Sequence, residues 1–170
     1  GLDINATYLT FNYTSTLTRV YQVPAENILY IHGESTDSDS DLVLGHGWAP
    51  EERPSLFDAV NHEDFDHRVM EAMQSLDTYF SNTFKASKKI IEQNADFFAG
   101  LEDIAQVVVL GHSLNPVDAP YFVAVVQALK NRPIPWTVAV LPDDAESEKT
   151  ALLNAFGIDP ALIHCKLWSD

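Results

Sequence analysis

Four consecutive apolar residues, Val107, Val108, Val109 and Leu110, constrain this chain more than any other stretch. Three are β-branched and the run is short, which predicts a strand buried on both faces, as in a parallel sheet. Gly111 permits a sharp exit from that strand, and Pro116 delays the next helix. Asp118 is placed to cap a helix beginning at Ala119 and Pro120, where proline is tolerated in the first turn. Phe122, Val125, Val126 and Leu129 come next at helical spacing and are expected to pack back on the sheet. In open α/β sheets ligands bind beyond the carboxyl ends of strands, opposite helix N-termini that favour anions. The segment from Gln106 to Phe122 is therefore the leading candidate site.

The rest of the chain alternates in the same way. Ala6 to Phe11 reads as a strand, followed by a short helix over Thr16 to Tyr21 capped by Thr14 or Ser15 and broken by Val23-Pro24. Ile28 to Ile31 reads as a second strand ending at His32-Gly33. After the acidic turn Glu34 to Asp41, Leu42 to Leu44 reads as a third strand closed by Gly45-His46-Gly47. Trp48 to Asn61 carries Pro50 and Pro54 without a clear period and is expected to be a loop. From Asp64 a long helix is expected, with Val69, Met73, Leu76, Phe80 and Phe84 on one stripe. That stripe resumes at Ile90 after a break near Ser87. Trp136 to Leu141 reads as a fifth strand, Asp143 as the cap of a helix stopped by Gly157, and Leu162 to Trp168 as a last strand. Strands alternating with helices give a single α/β domain of Rossmann-like type, its mostly parallel sheet flanked by helices.

A chain of 170 residues, 46% of them hydrophobic, can bury a sizeable single core. Its formal charge of −15 opposes direct binding to nucleic acid or anionic lipid, both of which require basic patches. The cluster Lys85, Lys88 and Lys89 reads as the solvated face of a helix. No apolar run approaches the length of a membrane span. The single Cys165 excludes an internal disulfide and fits a reducing, cytoplasmic setting.

Several strands end in residues able to reach a ligand: Asn12, His32-Gly33, Gly111-His112-Ser113, and Asp143. Each also has a plain structural reading, Asn12 as a helix cap, His32 as a satisfied strand-end histidine and Ser113 as a turn residue. An alternative enzymatic reading starts from Gly111-His112-Ser113-Leu114, which begins like the G-x-S-x-G nucleophile elbow, with Ser113, Asp143 and His164 in hydrolase order. Position 115 is Asn instead of Gly, Pro116 blocks an immediate helix, and His164 falls inside a predicted strand, so a serine hydrolase is the weaker reading. His46, His62, His67 and His164 share no metal-ligand spacing, and no metal is expected. Neither a Walker loop nor a complete G-x-G-x-x-G occurs.

Taken in order, Thr10-Phe11-Asn12-Tyr13-Thr14, Ile31-His32-Gly33, Leu42-Val43-Leu44-Gly45-His46-Gly47 and the segment from Leu110 to Phe122 resemble the bacteriophage abortive-infection AbiH family, from Tyr8 to about Leu141. AbiH-like proteins in turn look like distant relatives of the sirtuin-type NAD-binding domains of bacterial defence proteins. The resemblance implies a Rossmann-like fold, a role in antiphage defence, and NAD or a related nucleotide as ligand or substrate. Carried over by position, Asn12 would orient the ribose or the attacking water and His32 would act as general base. Gly111 and Ser113 would hold ribose or phosphate oxygens, and Asp143 would accept a hydroxyl of the adenosine ribose. Gly33, His112 and Asp118 are carried over as further cofactor-binding positions.

Cleavage of the nicotinamide glycosidic bond builds positive charge on the ribose, so it needs a positioned nucleophile and a base near neutral pKa, which histidine supplies. The family's Gly-rich turn after the first strand has no counterpart before Ala6, so the chain is expected to be the C-terminal part of a longer protein or a form that has lost this phosphate cradle. The four zinc cysteines of deacetylase sirtuins are missing, which argues against deacetylation. The second class of function is a non-catalytic sensor or protein-interaction module on the same scaffold, with a phage or host protein as partner. Oligomer formation is compatible with either class.

Overall fold

The computed structural model describes residues 1–39, 41–47, 55–58, 66–130, 132–142 and 145–168. It divides the chain into two compact units, Gly1–Ala86 and Ser87–Asp170. Its class is the expected one, a mixed α/β fold with parallel strands and flanking helices. The strands belong to two small sheets instead of one, each confined to its own unit.

In the first unit, β1 (Tyr8–Thr10) pairs in parallel with β2 (Ile28–Tyr30), Tyr8 opposite Ile28 and Thr10 opposite Tyr30. The connection runs through α1 (Thr16–Arg19). Val23, 2% exposed, anchors the return, its N–H bonded to the Leu17 carbonyl at 3.0 Å. Ser15 precedes α1 but makes no side-chain cap; its hydroxyl lies 2.7 Å from that of Thr36. Asn12 is therefore not a cap either, and its N–H bonds the Thr10 hydroxyl at 3.2 Å.

The expected strand over Leu42 to Leu44 does not form. Leu42 and Leu44 are 44% and 58% exposed, so no core holds them in a ladder. Val43 alone is tied down, donating its N–H to the His32 carbonyl at 2.9 Å and accepting the Tyr13 hydroxyl at 2.8 Å. Pairing moves to His46, which bridges Phe84 in parallel and donates its N–H to the Thr83 carbonyl at 3.0 Å. Gly45, with φ +125°, passes so close to that carbonyl that an added Cβ would lie 1.6 Å from the Thr83 oxygen.

The long helix α2 (His67–Asn82) starts after Asp66, whose carboxylate accepts the Arg68 N–H at 2.8 Å. Asp77 on the same helix accepts from Ser55 Oγ and from the Leu56 and Phe57 N–H groups, fixing the turn 55–58. The remaining parts of the expected loop over Trp48 to Asn61, with Pro50 and Pro54, lie outside the described residues, as do His62 and Asp64.

The second unit opens with α3 (Ser87–Gln93) and α4 (Ala95–Ala99), so the break expected near Ser87 is present. Beyond them come β3 (Val107–Val109), α5 (Ala119–Ala128), β4 (Trp136–Val140), α6 (Glu146–Ala155) and β5 (Ile163–Leu167). The strand order is β3-β4-β5, all parallel, with Val109, Val138 and Cys165 in register. Because residues in register point to the same side, Val107, Val109, Trp136, Val138 and Val140 share one face. Trp136, Val138 and Val140 are 1–2% exposed and form the core with Tyr121, Phe122, Leu153 and Phe156.

The opposite face carries Val108, Thr137, Ala139, His164 and Lys166, and Val108 is 47% exposed. β3 is thus not buried on both faces as its sequence predicts. Its neighbours on that side include polar residues that no core would accept. α6 ends as expected: Gly157 adopts φ +98°, and the Ile158 N–H reaches the Leu153 carbonyl at 3.1 Å, with both apolar side chains buried.

Two glycine substitutions should separate crowding from backbone preference. Gly45→Ala is expected to destabilise the protein by ~2 kcal/mol or more, since the Cβ meets backbone and not a movable side chain. Gly111→Ala, where a Cβ meets nothing within 4 Å, should cost only the left-handed preference of about 1 kcal/mol. Urea unfolding of both variants checks the order.

Candidate functional site

In the second unit the site segment begins where β3 ends. Gly111 has φ +61°, and the chain then folds through His112, Ser113 and Leu114 into a 3-10 turn, Pro116–Asp118, that runs directly into α5. Leu114 is fully buried yet also left-handed, with φ +61°. Its N–H donates to His112 Nδ1 at 2.8 Å. With Nδ1 acting as acceptor, the neutral ring must carry its proton on Nε2, which faces Asp118 Oδ2 at 3.6 Å. Both side chains are 13% exposed, and the imidazole meets the Phe122 ring edge-on, centroids 5.1 Å apart. Lys149 of α6 closes the turn from outside, its ammonium donating to the carbonyls of His112 and Ser113 at 3.3 Å each.

This arrangement corrects the expected cap. Asp118 makes no side-chain cap bond; its backbone is already helical, so its carboxylate cannot reach back to the first free N–H groups. Asn115 caps instead, Oδ1 accepting the Val117 N–H at 3.0 Å. Asp118 still places negative charge at the start of α5, where the helix dipole favours it. Its carboxylate faces His112, so these two expected cofactor contacts are turned toward each other. Ser113 is exposed, and Gly111 offers open space at the carboxyl end of β3.

In the first unit, His32 lies just beyond β2 and is 2% exposed. Its ring lies edge-on to Phe11, centroids 5.6 Å apart, and stacks on Tyr13 at 6.2 Å. Gly33 turns the chain with φ +86°, its N–H bonded to the Tyr30 carbonyl at 3.0 Å. Asn12 is exposed one residue before Tyr13. The structure thus brings Asn12, His32 and Gly33 into one unit and Gly111, His112, Ser113 and Asp118 into the other. Asp143 lies outside the described residues. Burial holds the Tyr30 phenol above its ordinary value, opposed by a hydrogen bond to Thr18 and reinforced by the charge of Glu34.

Sequence reasoning missed two features. One is Lys149, which no local motif marks because its partners are backbone carbonyls 36 and 37 residues away. The other is an open groove of about 560 Å³ between α3 and α5, lined by Ile91, Pro116, Pro120 and Val123, with Lys88 and Glu92 at its rim. Of its apolar lining, Ile91 alone lies on a stripe that the helix periodicity picks out; Pro116, Pro120 and Val123 lie off it. Among the described residues no group of three or more His, Cys, Asp or Glu could hold a metal ion. No helix among them is long and apolar enough to cross a membrane.

A strand, a glycine exit and a helix started behind a short turn define an α/β protein whose candidate site lies at the carboxyl end of a parallel strand. The chain belongs to the family described as bacteriophage abortive infection AbiH, whose model matches residues 2–140. Membership points to a role in abortive infection, the defence of a bacterial population against phage. No curated protein and no solved structure shows significant similarity to the chain.

Removing the observed cap should weaken the 3-10 turn Pro116–Asp118 that leads into α5. Asn115→Ala is expected to cost about 1 kcal/mol in a denaturant titration, within the usual range for a lost N-cap. The raised Tyr30 value has its own consequence. Folding disfavours the phenolate, so the stability this group contributes is complete below the unfolded tyrosine pKa and is lost as pH rises through the higher folded value. An absorbance titration of the native protein should show a late-ionising component, to which Tyr8, also raised by burial, contributes, and Tyr30→Phe should reduce it.

Proposed function

We propose that this AbiH-family chain serves phage defence by binding NAD or a related nucleotide and hydrolysing its nicotinamide glycosidic bond. The observation that carries the reading is the exit of β3: a left-handed Gly111 with open space around it, followed by an exposed Ser113, at the carboxyl end of a parallel strand. Backbone so uncrowded lets ribose or phosphate oxygens approach closely. Gly111 and Ser113 supply those contacts, and Asp143 is assigned the adenosine ribose. Asn12 is assigned the orientation of ribose or water, and His32 the base, with Gly33 beside it. The choice of NAD rests on the resemblance of the sequence motifs to those of sirtuin-type domains.

A second reading has its own observation. His32, 2% exposed and enclosed by Phe11 and Tyr13, has the surroundings of a structural histidine. A protein that binds the nucleotide and signals through a phage or host partner needs no exposed base. The serine-hydrolase reading loses ground by comparison. The left-handed residues of the turn are Gly111 and Leu114, whereas an elbow places its strain at the nucleophile. His164 lies within β5, paired with Thr137.

Incubation with NAD, followed by measurement of nicotinamide release, separates these readings. Hydrolysis predicts release from the wild type, a fall of at least ~100-fold in Asn12→Ala and in His32→Ala, and a retained thermal shift with ADP-ribose. A thermal shift without release supports the sensor. Release undiminished in both variants sinks the assignment of Asn12 and His32, and labelling of Ser113 by a fluorophosphonate would revive the hydrolase.

A further inference from the structure

We infer that His112 is a proton-controlled latch on the Gly111–Leu114 turn, neutral when the turn is closed and forced to release it when protonated. The inference stands on geometry inside the second unit. His112 Nδ1 accepts the Leu114 N–H at 2.8 Å, which it can do only while that nitrogen is unprotonated. A second proton on the ring has to go onto Nδ1, because Nε2 already bears the first. The result is an N–H facing an N–H, and Leu114 has no water to turn to because it is fully buried. Leu114 also sits at φ +61°, a conformation that a leucine holds only when its surroundings impose it. Loss of the imidazole acceptor removes one of the groups imposing it.

Asp118, Lys149 and Phe122 are among the neighbours that bear on the balance. Asp118, at the start of α5, faces Nε2 at 3.6 Å, so its negative charge stabilises the protonated ring. Lys149 of α6 binds the carbonyls of His112 and Ser113, holds the turn in the closed form and opposes a second positive charge beside it. Phe122 of α5 meets the imidazole edge-on and carries no charge. Histidine is the side chain whose ordinary titration lies closest to neutrality, so a latch built on it responds to modest acidification. The turn it controls carries Ser113 and Gly111, the positions assigned to nucleotide oxygens. An effect on ligand binding therefore rests on the proposed function, whereas the latch itself does not.

Nitrogen-15 spectra of the whole chain, recorded from neutral pH to about pH 5, read the latch directly. The expected result is the Nε2-protonated tautomer of His112 at neutral pH, with the Leu114 amide resonance moving in step with protonation of the ring. Asp118→Asn should shift both transitions together to lower pH. His112→Asn is the informative variant, because an asparagine oxygen can accept the N–H two residues on without titrating. It should keep the Leu114 amide in its closed position and abolish the transition. A Leu114 amide indifferent to protonation of His112, an Nδ1-protonated ring at neutral pH, or a transition that survives in His112→Asn overturns the inference. ADP-ribose affinity, measured by calorimetry across the same range, should fall with acidification in the wild type, and in His112→Asn that pH dependence should be lost, whatever the absolute affinity of the variant. Absence of ADP-ribose binding at every pH would count against the nucleotide reading and leave the spectra to decide the latch.

Discussion

The second unit depends on keeping Leu114 buried at a backbone angle that leucine ordinarily avoids. A left-handed non-glycine residue costs about 1–2 kcal/mol. Full burial of a leucine side chain contributes roughly 1.5–3 kcal/mol, and its N–H bond to His112 about 1 kcal/mol more. The favourable terms are larger, so the turn holds. Its shape then sets the course of the chain beyond it: Asn115 is placed to cap, Pro116 enters a 3-10 turn, and α5 starts with Tyr121 and Phe122 buried in the core. Had the angle at Leu114 been ordinary, the helix would leave the sheet in another direction and Ser113 would not be displayed at the strand end.

Local signals make much of this legible. The strands at Ile28, Val107 and Trp136 are β-branched or aromatic runs that differ from their flanks, and the structure trims them, like the more mixed strand at Ile163, by a residue or two at their ends. Gly157 ends its helix as expected, since a positive φ beside a buried Ile158 is a local arrangement. The sequence conceals choices among near-equal local options. Leu42 to Leu44 has strand composition, but only contact with a core would have decided for the strand, and those leucines are exposed. Asn115 and Asp118 are both good caps, and the one that works is selected by the backbone of the turn. Val108 resembles Val107 and Val109, and only the register with Thr137 and His164 shows which face stays open.

The site is legible to a similar degree. Gly111 and Ser113 stand where their sequence implies, at an open strand exit. His112 and Asp118 have the chemistry of ligand contacts, and the structure shows them facing each other. Nothing in their spacing reveals this, because the chain between them is folded by the bend at Leu114. Lys149 is invisible for the opposite reason, since a lysine bonded to main-chain carbonyls has no partner side chain to form a motif.

The charge of the chain bears on how any anionic ligand could be held. With 25 acidic against 10 basic residues, the average field repels a phosphate. Salt screens that field within roughly 8 Å under physiological conditions, so the balance at a site is set by the groups lining it. At the β3 exit those groups are unsubstituted backbone at Gly111, a serine hydroxyl, and a lysine ammonium anchored on two carbonyls. The carboxylate of Asp118 is turned toward the imidazole of His112. Its state matters more than its distance: each proton taken up by His112 offsets the charge of Asp118 while loosening the turn that displays Ser113. Electrostatic welcome and structural readiness therefore move in opposite directions as pH falls, and the neutral imidazole is the form in which the turn keeps its shape.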